Sequence, residues 1–237
     1  MPKTVTSRKL KSWPITGGLL ERFGLRSAEI DARSRSMVRE IVGGRFEGTE
    51  ADLVAAMVYA TGDPDLVNQV ALSHDPVGRA RSALGRARAI VVDVTMVSVG
   101  IRLPAGQSLA VAVRAPGAES LARSSGTTRA AAGMKRLWDD FGRGRLIVIG
   151  NAPTALLAVL DLAATVGPPA CVIATCAGLA GAEEAKEALV ESGLPHLVVR
   201  GSGGGIGVAV GAVNHLLGWS PESPGAGENS EMTRPTT

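Results

Sequence analysis

The 237-residue chain is poor in aromatic side chains: Phe, Trp and Tyr make up 3% of it, and it has a single tyrosine. Proteins that hold nucleic acid strands stack bases on aromatic rings and concentrate positive charge on one face. The formal net charge here is only +3. The composition therefore argues against a nucleic acid partner.

Cysteine, histidine and long apolar runs are also scarce. Cys171 and Cys176 cannot build a disulfide framework, which favours a reducing, cytoplasmic location. The apolar windows fall far short of the roughly 20 residues of a membrane helix, and none follows the basic N terminus as a signal peptide requires. The three histidines show no metal-ligand spacing. We expect no membrane span and no metal.

What the chain does have is enough apolar material, 45% of its residues, to build one substantial core. The sequence indicates three zones. Residues 1–25 form a basic N-terminal extension, and residues 26–218 carry sustained hydrophobic periodicity and form one domain. Residues 219–237, rich in Ser, Pro, Gly and Glu, are expected to be a disordered tail.

Within the middle zone, short apolar runs alternate with helical patterns. Continuous apolar runs predict strands buried on both faces, at 89–95, 108–113, 145–150, 170–175 and 196–200. Amphipathic or capped segments predict helices, at 51–59, 76–84, 129–141, 154–164, 183–192 and 206–217. This alternation predicts an α/β fold with a mainly parallel sheet and helices on both faces.

Ligands bind beyond the carboxyl ends of the strands in such sheets, so the loops there are the candidate site. The loop at 150–154 carries Asn151 and Thr154 and opens a helix, whose free N–H groups attract anions. Arg129 opens another helix and could bind a carboxylate in bidentate fashion. An ordinary capped turn and a solvated arginine remain the alternatives.

A glycine-rich turn at 201–205 follows Arg200. It has neither the downstream acidic strand of a dinucleotide fingerprint nor the Lys of an NTPase phosphate loop. Its N–H groups could bind a carboxylate or a phosphate, or it could be a plain turn. Asp93 lies in an otherwise apolar strand, where a charge is costly unless it is paired or lies at the ligand end. We interpret Asp93 as part of the site.

Six segments together give the chain a family resemblance. They are IGNAPTALL at 149–157, YATGDPD at 59–65, VVDVTMVSVGI at 91–101, TTRAAAGMKRLW at 127–138, GAEEAKEAL at 181–189 and VVRGSGGG at 198–205. The chain resembles the precorrin-8X methylmutases (precorrin isomerases) from about residue 30 to 217. The segment at 149–157 is the most specific, and the order of all six makes the resemblance strong.

The resemblance implies a homodimeric α/β enzyme of cobalamin biosynthesis that needs no cofactor. It would move a methyl group between neighbouring carbons of a corrin precursor, precorrin-8X or cobalt-precorrin-8, and yield hydrogenobyrinate or cobyrinate. Such a tetrapyrrole carries many carboxylates, which fits the anion-binding loops. The implied substrate-binding residues are Ser34, Asp93, Met96, Thr128, Arg129, Asn151, Thr154, Arg200, Gly201 and Gly204.

Several positions depart from the family pattern. Tyr59 stands where the family has the His thought to act as an acid, and a phenol with a pKa of about 10 is a poorer acid near neutral pH. Ala56 replaces an Arg, Asp31 replaces a Tyr, and the loop at 176–181 has changed. We expect an isomerase with Tyr59 in the catalytic position. The alternative is a degenerate or repurposed homologue that binds a tetrapyrrole or another polycarboxylate.

Overall fold

The computed structural model describes residues 27–86 and 89–219. The predicted extension at 1–25 and all but the first residue of the predicted tail at 219–237 lie outside these ranges. The helices are α1 (Ser27–Val42), α2 (Gly48–Thr61), α3 (Leu66–Gln69), α4 (Pro76–Arg86), α5 (Thr95–Gly100), α6 (Ala118–Ser125), α7 (Arg129–Leu137), α8 (Pro153–Thr165), α9 (Ala182–Glu191) and α10 (Ile206–Leu216). A 3-10 turn (Ala112–Arg114) precedes α6, and a π-helical turn (Trp138–Gly142) follows α7.

The strands are β1 (Val70–Leu72), β2 (Ala89–Val92), β3 (Ser108–Val111), β4 (Leu146–Ile149), β5 (Cys171–Ala174) and β6 (His196–Val199). In the described residues they form one sheet in the order β1-β6-β5-β4-β2-β3. Only β1 runs antiparallel, beside β6, and the other neighbours are parallel. The carboxyl ends of β2 to β6 therefore meet at one edge of the sheet.

Helices cover both faces of this sheet, because successive residues of a strand point to opposite sides. On one face, Ile90 and Val92 of β2 pack with α1, α2, α4, α5 and α10. On the other face, Val91 packs with α7, α8 and α9. Every residue of β2, β4, β5 and β6 is buried. This double burial explains why these strands are continuous apolar runs in the sequence.

The predicted fold class is confirmed, since the described chain is an α/β fold with a mostly parallel six-stranded sheet. All five predicted strands and all six predicted helices are present, with ends shifted by a few residues. The prediction missed β1, a three-residue edge strand, the polar helix α1 and the shorter helices α3, α5 and α6. It also extended β2 over Asp93, Val94 and Thr95, where the chain turns into α5. No helix in the described residues is long and apolar enough to cross a membrane.

Candidate active site

The carboxyl edge of the sheet is organised around the buried carboxylate of Asp93, which follows β2. One oxygen accepts the N–H groups of Val94, at 2.9 Å, and Gly150, at 3.2 Å. The other accepts those of Asn151, at 2.8 Å, and Ala152, at 2.7 Å. Three of the four donors to this buried carboxylate are thus backbone groups of the β4–α8 loop, and the fourth is the adjacent residue Val94.

Burial raises the pKa of Asp93, and the four N–H donors act in the opposite direction. With the side chain fully buried and each oxygen accepting two N–H groups, Asp93 has no surface left for a ligand. Its contacts instead fix the path of the chain from β4 into α8. Direct substrate binding by Asp93 stays a prediction.

The N-termini of α7 and α8 lie side by side at this edge. The Oγ1 atoms of Thr128 and Thr154 are 2.7 Å apart, and Thr128 also caps α7 by accepting the N–H of Ala131 at 3.2 Å. Arg129 and Asn151 are exposed beside this pair. Four of the predicted residues are therefore neighbours at two helix N-termini, where free N–H groups favour an anion.

Arg129 also borders an open groove of about 860 Å³ at the carboxyl end of β3. Arg114 and Arg123 line the same groove, so three guanidinium groups surround it. Arg123 forms an ion pair with Glu119, one turn away on α6. The groove offers positive charge next to the threonine pair, which favours anionic groups.

The glycine-rich turn between β6 and α10 is fixed by hydrogen bonds to Thr175, which follows β5. The N–H of Gly205 donates to the carbonyl of Thr175, and the Thr175 hydroxyl donates to the carbonyl of Gly205 at 3.0 Å. Gly204 has a φ of 113°, and a Cβ there would collide with the Thr175 carbonyl. Gly201 has a φ of 71°. Glycine is thus required at Gly204 by both backbone conformation and space.

Two basic residues flank this turn, and sequence reasoning placed only one of them. Arg200 forms a two-point ion pair with Glu187 of α9, with one N–O distance of 2.8 Å, and so is not a free cation here. Lys186 is buried and donates to the carbonyl of Gly203 at 2.9 Å. Burial lowers its pKa. Lys186 lies in the charged segment at 181–189, which looks like a solvated helix, so its burial could not be read from the sequence.

Tyr59 lies near the end of α2, on a separate part of the site. Its side chain is 40% exposed and lines a cleft of about 520 Å³ between α1, α2 and α10. Its hydroxyl donates to the carboxylate of Asp31 on α1. Ala56 lines the same cleft, and so does Arg35 of α1, which binds Asp31 at 2.8 Å. Two of the positions that depart from the family pattern, Asp31 and Tyr59, are therefore in direct contact.

Ser34 and Met96 complete the predicted set. The Ser34 hydroxyl donates to the carbonyl of Ile30 at 2.7 Å, on the same helix as Asp31. Met96 is 62% exposed on α5. The next residue, Val97, is buried against Gly150, where a Cβ on the glycine would collide with it. Helix α5 therefore adjoins the β4–α8 loop. Helix α10 links the two parts of the site, because it starts at the glycine-rich turn and its Gly207 and Gly211 line the cleft of Tyr59.

Comparisons with known proteins identify the family of this chain. Residues 29–219 match the family Precorrin-8X methylmutase, CbiC. A Precorrin-8X methylmutase of Sinorhizobium sp. is 39% identical over 191 residues, covering 78% of this chain and 90% of that protein. A Cobalt-precorrin-8 methylmutase of Methanothermobacter thermautotrophicus is 35% identical over 198 residues, covering 82% and 94%.

A solved structure supports the same assignment. The crystal structure of the precorrin-8X methyl mutase from Thermus thermophilus superposes with a TM-score of 0.71 at 27% identity, covering 79% of this chain and 95% of that one. A match across the whole described domain, in sequence and in fold, shows the family. This chain belongs to the precorrin-8X methylmutase family.

Proposed function

We propose that this protein is an isomerase of cobalamin biosynthesis that moves a methyl group between two neighbouring carbons of a corrin precursor. The substrate is precorrin-8X or cobalt-precorrin-8, and the product hydrogenobyrinate or cobyrinate. One carbon–carbon bond breaks and another forms within one molecule, so no electrons enter or leave. The observation that carries the proposal is the 39% identity to a Precorrin-8X methylmutase over 90% of that protein.

The geometry of the carboxyl edge supports this substrate. A corrin precursor is a large ring with carboxylates around its rim, and binding it requires several anion sites. The paired N-termini of α7 and α8 and the exposed Arg129 provide such sites. Binding at several fixed points holds the ring still while the methyl group moves, which is how positioning contributes to catalysis.

Tyr59 is the proposed catalytic residue, on an element separate from the anion sites. The alternative of a repurposed homologue is not favoured, because the family match runs through both parts of the site at this level of identity. The substitution at position 59 changes the chemistry available, since a phenol keeps its proton at neutral pH and works through hydrogen bonds.

Incubation of the purified protein with precorrin-8X, followed by absorption spectroscopy, tests the proposal. We expect the product spectrum of hydrogenobyrinate to appear without any added cofactor. Arg129→Met should raise KM at least about tenfold, since a charge-assisted hydrogen bond contributes about 1.5–3 kcal/mol. The matched control is Arg79→Met, an exposed arginine of α4 beside Cys171 at the opposite edge of the sheet. No conversion, or equal effects of both variants, would contradict the proposal.

The proposal includes a homodimer in the cytoplasm. Large apolar side chains stand exposed near the carboxyl edge: Met96, Val99 at 81% and Leu179 at 100%. A second copy that covers them would remove this surface from water, as oligomer interfaces do. Sedimentation at micromolar concentration should show a species of twice 24.2 kDa. A single monomeric species would rule the dimer out.

A further inference from the structure

The hydroxyl of Tyr59 is tied into a cluster of three side chains from two helices. Its O–H donates to one carboxylate oxygen of Asp31, and the Nε of Arg35 donates to the other at 2.8 Å. The guanidinium carbon of Arg35 lies 5.3 Å from the centre of the Tyr59 ring. Asp31 and Arg35 are one helical turn apart on α1, so the two residues face Tyr59 together.

The direction of the hydrogen bond follows from the chemistry of the partners. The donors Tyr59 and Arg35 hold the pKa of Asp31 below its usual range, so at neutral pH it is a carboxylate that only accepts. The hydrogen bond to Asp31 raises the pKa of Tyr59 in turn. The phenol therefore keeps its proton and directs it at Asp31. Toward the cleft, the phenol oxygen can therefore only accept a hydrogen bond.

We propose that Asp31 is the positioning residue of Tyr59: it holds the phenol proton, so that Tyr59 meets the substrate as a hydrogen-bond acceptor. This inference rests on the proposed function for the identity of the substrate. The carboxylates of a corrin precursor also only accept, so they cannot bind this oxygen. The ring N–H groups are donors, and Tyr59 therefore contacts the ring itself, while the rim carboxylates bind at the helix N-termini and Arg129.

Other charged side chains line the cleft around Tyr59 and bear on a titration of its hydroxyl. Arg35 and Arg39 line it from α1, Asp52 from α2 and His215 from α10. Burial lowers the pKa of His215 from 6.5. His215 is therefore neutral above pH 8, where a tyrosine titrates.

The test uses the fact that Tyr59 is the only tyrosine in the chain. Tyrosinate absorbs at 295 nm, so an alkaline titration followed at that wavelength reports the ionisation of Tyr59 alone. In the wild type we expect a midpoint above 10. Asp31→Asn should lower it by about one unit or more, a tenfold change in proton affinity, because the carboxylate is gone while Arg35 remains.

Two variants control this experiment. Asp52→Asn removes a carboxylate from the same cleft that does not bond Tyr59, and should leave the midpoint unchanged. Tyr59→Phe should abolish the transition. If alkali unfolds the protein, the chemical shift of the single ¹³Cζ-tyrosine signal at pH 8, in the wild type and in Asp31→Asn, reports the same hydrogen bond. An unchanged midpoint or shift in Asp31→Asn overturns the proposal.

Kinetics then separate this inference from the proposed function. If Asp31 acts through Tyr59, the double variant Asp31→Asn/Tyr59→Phe loses no more activity than Tyr59→Phe alone. Additive losses overturn the positioning role even if the wild type turns over. A shifted midpoint without any turnover of precorrin-8X keeps Asp31 as the partner of Tyr59 and overturns the proposed function instead.

Discussion

Replacing Asp93 by Asn tests whether one buried carboxylate holds the β4–α8 loop. Asp93 accepts four backbone N–H groups, two on each oxygen. An amide has one oxygen, so in Asp93→Asn two of these N–H groups face an NH₂ group that is itself a donor. A buried donor left without a partner costs about 1–3 kcal/mol, which predicts a loss of about 2–6 kcal/mol in unfolding free energy.

Urea unfolding at pH 8 measures this loss, and thermal unfolding should show a fall in Tm of at least about 4 °C for a domain of this size. The matched control is Asp161→Asn, an exposed carboxylate on α8, where we expect a change within about 0.5 kcal/mol. Affinity for the tetrapyrrole should fall together with stability, because the same loop opens α8. A loss below about 0.5 kcal/mol in Asp93→Asn would refute this account of the loop.

Three further predictions concern the scaffold and the ring. Gly133→Ala should cost about 1–3 kcal/mol, because a Cβ there collides with the 3-10 turn beneath α7; Gly85→Ala, with open space around it, should not destabilise. Burial lowers the pKa of Lys186, so the unfolded chain holds this proton more tightly than the folded one. The difference in unfolding free energy between the wild type and Lys186→Met should therefore increase as pH rises from the lowered pKa to 10.5. A difference that does not change with pH in urea unfolding would contradict this. A cobalt ion replaces the ring N–H groups, so an acceptor at Tyr59 should bind the metal-free product more tightly than its cobalt form. Calorimetry measures this difference in affinity, and Tyr59→Phe should abolish it.

The core of the fold was predictable because burial leaves a local mark in the sequence. Strands such as β4 are buried on both faces, and a run like that at 146–149 has few other interpretations. Helix α1 escaped because it is mostly polar and packs with only part of one side. Strand β1 escaped because three residues at a sheet edge are too few for a pattern.

The site was predictable in its loops but not in its pairings. Asn151 and Thr154 stand out because they follow a strand and open a helix. That Arg200 binds Glu187, or that Lys186 supports Gly203, depends on how α9 packs against the end of β6. Contacts between distant segments leave no local pattern, so a lysine in a charged helix looks solvated until the fold shows what covers it.

Tyr59→His restores the residue type that the family resemblance expects, but in surroundings that have changed with it. Asp31 lies where the imidazole would meet a carboxylate, and a neighbouring negative charge favours the protonated ring. The pKa of the introduced imidazole should therefore lie above the ordinary value of about 6.5. If the protein were a degenerate enzyme that lacks its acid, kcat should rise at least about tenfold at pH 6–7, as general acid catalysis allows, and decline as pH rises through that pKa.

Combining Asp31→Asn with Tyr59→His separates the effect of the imidazole from the effect of Asp31 on its pKa. Without the carboxylate, the imidazole loses the charge that favours its protonated form, so the decline in kcat should move to lower pH while the rate at low pH is retained. If both variants decline at the same pH, Asp31 does not act on position 59. If Tyr59→His is slower than the wild type at every pH, the phenol is the catalytic group in this protein. Asp31, Arg35 and Tyr59 then depend on one another, and replacing Tyr59 alone removes the partner of the other two residues.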